Sequence, residues 1–75
     1  MSGKRQRNDR KALQKLLREL RIAAGFRQAD VAEMLGVPQS MVSKYEVGER
    51  RLDVLEIRSL CQLFGLSLGD FVIRL

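Results

Sequence analysis

Gln39, Ser40, Ser43 and Lys44 recur at helical spacing around Val42, and all four carry hydrogen-bonding side chains with no acid among them. A face of that kind exchanges hydrogen bonds with a polar partner rather than making or breaking covalent bonds. The rest of the chain offers little to covalent chemistry. Histidine is absent and Cys61 is the single cysteine, so an internal disulfide is excluded and the usual metal ligands and nucleophile–base pairs are missing. The chain is therefore expected to be a non-enzyme with no metal and no cofactor. No small-molecule ligand is evident, and a binding surface is the functional part.

Five stretches of helical periodicity supply the scaffold for that face. Helix 1 is expected to open near Asp9 and to turn Leu13, Leu16, Leu17, Leu20 and Ala24 inward, with Gly25 at the left-handed position that follows. Helix 2 buries Ala29, Ala32 and Leu35, keeps Gln28, Asp30 and Glu33 outward, and ends at Gly36. Its start is weak, because Arg27 cannot accept a backbone hydrogen bond. Pro38 opens helix 3, which runs to about Val47 before the stop at Gly48. Asp53-Val54-Leu55-Glu56 is a capping box for helix 4, which carries Leu60, Leu63 and Phe64 and ends at Gly65. Ser67-Leu68-Gly69-Asp70 opens a short helix 5. Without strand-like alternation, repeats or a second apolar core, this is an all-α reading. A chain of 75 residues buries only about 60% of its unfolded surface. One domain over residues 9–75 is expected, behind a flexible basic arm of residues 1–8.

Charge separates the two halves. Residues 1–27 hold nine Lys and Arg against Asp9 and Glu19, a balance of +7, whereas residues 28–75 balance at −2, for the net +5 of the chain. A basic segment on a nearly neutral body fits a polyanion, of which nucleic acid is the commonest. No apolar run approaches the roughly 20 residues that span a bilayer, and a cytoplasmic chain is expected.

Residues 28–48 carry the most specific pattern. Two short helices pack closely across a tight bend only if the inner face of the first is small and the bend tolerates a left-handed residue, and Ala32 and Gly36 meet these demands. Val31, Leu35, Val37 and Val42 supply the apolar contacts that fix the angle. The segment resembles the helix-turn-helix of the phage repressor and Cro-type proteins, the XRE family. The agreement takes in Arg21, Phe26-Arg27-Gln28, Ala32, Leu35-Gly36-Val37, Gln39-Ser40, the run from Ser43 to Gly48, and Leu66-Ser67-Leu68 before Phe71. Two positions depart from the family pattern: Arg27 stands where a capping threonine or serine is usual, and Pro38 where serine or threonine is frequent.

The resemblance implies a compact five-helix lambda-repressor-like DNA-binding domain with the helix-turn-helix in helices 2 and 3. It places Gln39, Ser40 and Lys44 on the base-reading face. A glutamine amide can bond adenine N6 and N7 together; a lysine suits guanine O6 or N7, and equally a phosphate. Met41, partly exposed, is expected near a thymine methyl. Gln28, Arg27, Ser43 and Tyr45 are phosphate-contact candidates, with the Tyr45 ring alternatively covering the core. Arg50 and Arg51 follow the recognition helix, where the resemblance implies contacts to the backbone or the minor groove. Arg21 and Glu46 resemble a supporting ion pair. Lys4, Arg5 and Arg7 form an arm that adds affinity and salt dependence. Met34 and Cys61 are expected to pack inside.

One such module reads few bases, so a homodimer on a palindromic operator is expected, with Leu68, Phe71, Val72 and Leu75 of helix 5 as its interface and Phe71 alternatively closing the core of the monomer. The function expected is that of a transcriptional repressor or controller of bacterial or phage origin, with double-stranded DNA as partner. The alternative is an antitoxin-like or accessory module whose main partner is another protein.

Overall fold

The computed structural model describes the backbone of residues 3–75 and the side chains from Asp9 onward. Five helices follow one another: α1 (Gly3–Ala23), α2 (Gln28–Leu35), α3 (Gln39–Val47), α4 (Val54–Leu63) and α5 (Leu68–Arg74). No strand occurs among the described residues. Every helix gives at least one side chain to a single core: Leu17 and Leu20 from α1, Val31 and Ala32 from α2, Val42 and Tyr45 from α3, Leu60 and Cys61 from α4, Phe71 from α5. Burying one such large apolar side chain is worth about 1.5–3 kcal/mol. Each helix is thus held by what it gives the others, as short helices must be.

The turns are built largely from local chemistry. Gly36 adopts φ 69°, open to glycine at little strain, and the Val37 amide closes the end of α2 on the Ala32 carbonyl at 3.0 Å. Pro38, with φ −63° and ψ 146°, sits just outside α3 as its cap rather than inside it. At α4 the capping box is reciprocal: the Glu56 amide donates to Asp53 Oδ1 at 2.8 Å and the Asp53 amide to Glu56 Oε1 at 3.0 Å. Ser67 accepts from the Asp70 amide at 3.0 Å to open α5.

Four expectations need revision. Helix α1 begins at Gly3, not near Asp9, so Lys4, Arg5 and Arg7 lie within helical backbone while their side chains fall outside the described residues. Lys, Arg and Gln are good helix formers, and no Gly or Pro interrupts residues 4–23. Met34 is 45% exposed, because it falls outside the stripe that Val31, Ala32 and Leu35 turn inward, and Ala24 is exposed beyond the end of α1. The start of α2 is not left bare. Asp30 accepts from the Arg27 amide at 2.8 Å and from the Arg27 guanidinium at 3.1 and 3.2 Å, so an acid in the first turn does the work of the missing cap.

Candidate nucleic-acid interface

Helix α3 has two unlike sides. Val42, Tyr45 and Glu46 are buried beneath it. On the opposite side Gln39, Ser40 and Lys44 are exposed and Ser43 is half-buried, because residues three and four apart share a helix face. The sequence reading missed the last member of this face. Val47 is 64% exposed at its C-terminal end, and its i,i+4 relation to Ser43 was the signal that marks it.

Two residues assigned to the interface lie elsewhere. Met41, four residues before Tyr45, shares that residue's flank and lines an apolar cleft of about 170 Å³ with Leu35, Leu52 and Leu60, so it is turned toward α4 and away from the exposed polar face of α3. Tyr45 is only 3% exposed, and its hydroxyl is enclosed without a hydrogen-bond partner. Burial, with the negative charge of Glu46 beside it, pushes its phenol well above the ordinary tyrosine value. Tyr45 supports α3 through its ring and does not reach a phosphate.

Below the exposed polar face of α3 an ion pair between α1 and α3, joined by a hydrogen bond from α2, ties three helices together. Arg21 Nε donates to Glu46 Oε2 at 2.6 Å and its terminal nitrogens to Glu46 Oε1 at 3.1 Å and the Phe26 carbonyl at 2.9 Å. Gln28 Nε2 donates to the same Glu46 Oε1 at 3.1 Å. The hydrogen bond to Glu46 holds the Arg21 guanidinium above its usual value. Removing one partner of a buried pair strands the other at about 3–5 kcal/mol, so this cluster fixes how α1, α2 and α3 sit together. Gln28, read as outward-facing, is thereby half-buried at the start of α2 with its amide oriented by Glu46.

A helix-turn-helix family model matches residues 17–71. Among solved structures, the chain is similar to an XRE-family like protein from Pseudomonas syringae pv. tomato str. DC3000, at 44% identity and a TM-score of 0.84 over 95% of this chain and 88% of that one. The chain belongs to the XRE family of DNA-binding helix-turn-helix proteins. No curated protein matches it.

The motif of this XRE-family protein is flanked by cations in different states. Arg27 is exposed but spent on Asp30, whose carboxyl it holds below the usual range. Arg50 donates to Glu56 at 2.9 Å and to the Arg51 carbonyl at 3.1 Å, which ties the loop after α3 to the cap of α4. Arg51 is exposed and forms no ion pair among the described residues. Arg18, which the sequence reading did not assign, borders the Arg21–Glu46 pair.

In this XRE-family fold α5 does not present all four residues assigned to a dimer surface. Phe71 is 1% exposed and closes the core between the other helices, and Leu68 packs half-buried against it. An amphipathic helix of seven residues has one inward side, and these two residues occupy it. Val72, Ile73 and Leu75 are left exposed, Ile73 by 83%. Cys61 is fully buried, and burial raises its thiol above the ordinary value, which makes it a core residue. No metal-binding group of side chains occurs among the described residues, and no helix among them is long and apolar enough to cross a membrane.

Proposed function

We propose that this XRE-family protein is a sequence-specific transcriptional regulator that inserts α3 into the DNA major groove and acts as a repressor or controller by occupying its operator. The observation that carries the reading is the outward face of α3. Gln39, Ser40 and Lys44 are exposed and unspent, among the described residues, on any intramolecular bond, while Val42, Tyr45 and Glu46 anchor the helix from below. Gln39 and Lys44 read base edges, Ser40 joins them, and Val47 offers an apolar contact to a thymine methyl. Ser43, Arg51 and Gln28 hold the backbone, with Arg27 and Arg50 available if phosphate displaces their acids, and Lys4, Arg5 and Arg7 add a sequence-independent electrostatic contribution.

A symmetric homodimer on a palindrome with half-sites about one helical turn apart follows from the few bases one α3 can read. The exposed Val72, Ile73 and Leu75 support α5 as its contact. The same apolar patch favours, as the second reading, an accessory module bound to another polypeptide. The test is selection from random duplex DNA at near-physiological salt, followed by sequencing. An enriched palindrome supports the dimeric operator reading and gives the half-site spacing. A pool without enrichment overturns sequence-specific reading and shifts the function to a protein partner of α5.

A further inference from the structure

Arg18 is a cation that the helix-turn-helix does not use. It stands on α1 almost one turn before Arg21, is exposed, and makes no ion pair among the described residues. With Arg21, Gln28, Glu46 and Val47 it lines an open polar cleft of about 240 Å³.

The internal demands of that cleft are already met. Both Glu46 oxygens accept hydrogen bonds, from Arg21 and Gln28, and Arg21 is further engaged by the Phe26 carbonyl. The Arg21–Glu46 pair is neutral, so the charge left over in the cleft is the +1 of Arg18. Such a cleft takes an anion. Its walls say which one: Val47 ends the reading face of α3, and Gln28 opens α2, so an anion seated between them lies against the edge of the groove that α3 would enter. A backbone phosphate is the anion found there.

Arg18 is also held in place by its own helix. Leu17 beside it is fully buried, and one turn earlier the Gln14 carboxamide lies so close to Gly48 that a Cβ there would collide with it. The base of the Arg18 side chain is therefore fixed relative to the end of α3.

We infer that Arg18 seats a DNA backbone phosphate in this cleft. The inference rests on the DNA-interface reading, and the experiment separates the two. Wild type, Arg18→Gln, Arg18→Lys and Arg58→Gln are titrated from 50 to 200 mM salt onto the duplex enriched by selection and onto a scrambled duplex of equal length. Arg58 is an exposed cation on α4 and controls for net charge alone. Arg18→Gln is expected to flatten the slope of log affinity against log salt by about 0.9, the value of one lost phosphate contact, and to weaken both duplexes by the same factor. Arg18→Lys is expected to keep the slope, and Arg58→Gln to leave it at the wild-type value. An Arg18→Gln slope equal to wild type, or one matched by Arg58→Gln, overturns the phosphate seat while leaving the DNA-interface reading intact. A wild type that binds neither duplex overturns both.

Discussion

Helices α3 and α5 solve the same packing problem and end with opposite surfaces. Each drives one aromatic ring into the core, Tyr45 and Phe71, and each leaves its far side open. On α3 that side is mainly amide, hydroxyl and ammonium, groups at ease in water that lose nothing by waiting for a partner. On α5 it is Val72, Ile73 and Leu75, whose exposure costs free energy until something covers it. The difference suits the two faces to different kinds of surface. A polar face on a rigid, well-anchored helix is suited to reading base edges, and an apolar face on a short helix is suited to another protein surface.

The anchors are where the comparison can be broken most severely. Phe71→Ala is expected to destabilise the fold by about 3–5 kcal/mol, as emptying a fully packed aromatic site does, and to lower the thermal midpoint accordingly. Glu46→Ala should cost a similar amount, because the Arg21 guanidinium would remain enclosed beside Gln28 with its acid removed. Loss of less than 1 kcal/mol in either variant, measured by denaturant unfolding, would mean that the underside of that helix does not hold it.

A smaller effect distinguishes reading from holding within the DNA face. Gln39→Ala is expected to cost roughly 1–3 kcal/mol on the preferred site and to relax selection at one base position, whereas Arg51→Ala should weaken every sequence about equally. Equal losses on all sequences for both variants would remove Gln39 from base recognition. Tyr45→Phe probes the underside of the same helix. Its hydroxyl is buried without a partner, so deleting it is expected to stabilise the fold by on the order of 1 kcal/mol and to leave DNA affinity unchanged. A loss of DNA affinity at unchanged stability would restore the phosphate role that burial argues against.

What the sequence reveals and conceals follows the range of the interaction. The Asp53–Glu56 box, the Gly36-Val37-Pro38 turn and the Ser67 cap were legible because each is decided within four residues. The all-α fold and the buried Ala32 followed from periodicity, and the buried Val31 and Val42 from the packing that the bend after α2 demands, whereas Ala29 on the periodic stripe is only half-buried. The Arg21–Glu46 bridge spans 25 positions, and only a resemblance to a known motif could suggest it. Met41 and Tyr45 were harder: both flank the apolar stripe of α3, and which flank meets α4 depends on how the helices cross. Phe71 was read on both sides for the same reason. Arg18 was invisible as a contact, since its cleft exists only when α1, α2 and α3 come together.

The mildest change in fold stability bears on the α5 side of the comparison. Ile73 is the most exposed of the large apolar residues, so Ile73→Asp removes little from the monomer and is expected to move its stability by no more than about 0.5 kcal/mol. On a symmetric contact the same substitution acts twice and places two carboxylates against an apolar surface, so a wild-type dimer should sediment as a monomer in the variant. The thermal midpoint should then lose its dependence on protein concentration while the midpoint at high dilution stays where it was. DNA binding gives the second readout. A monomer retains the α3 face, so Ile73→Asp should still contact a single half-site weakly but lose the gain in affinity from a second half-site on the same duplex. A variant that remains dimeric with undiminished affinity would move the symmetric contact off α5 and leave its apolar side for a different protein.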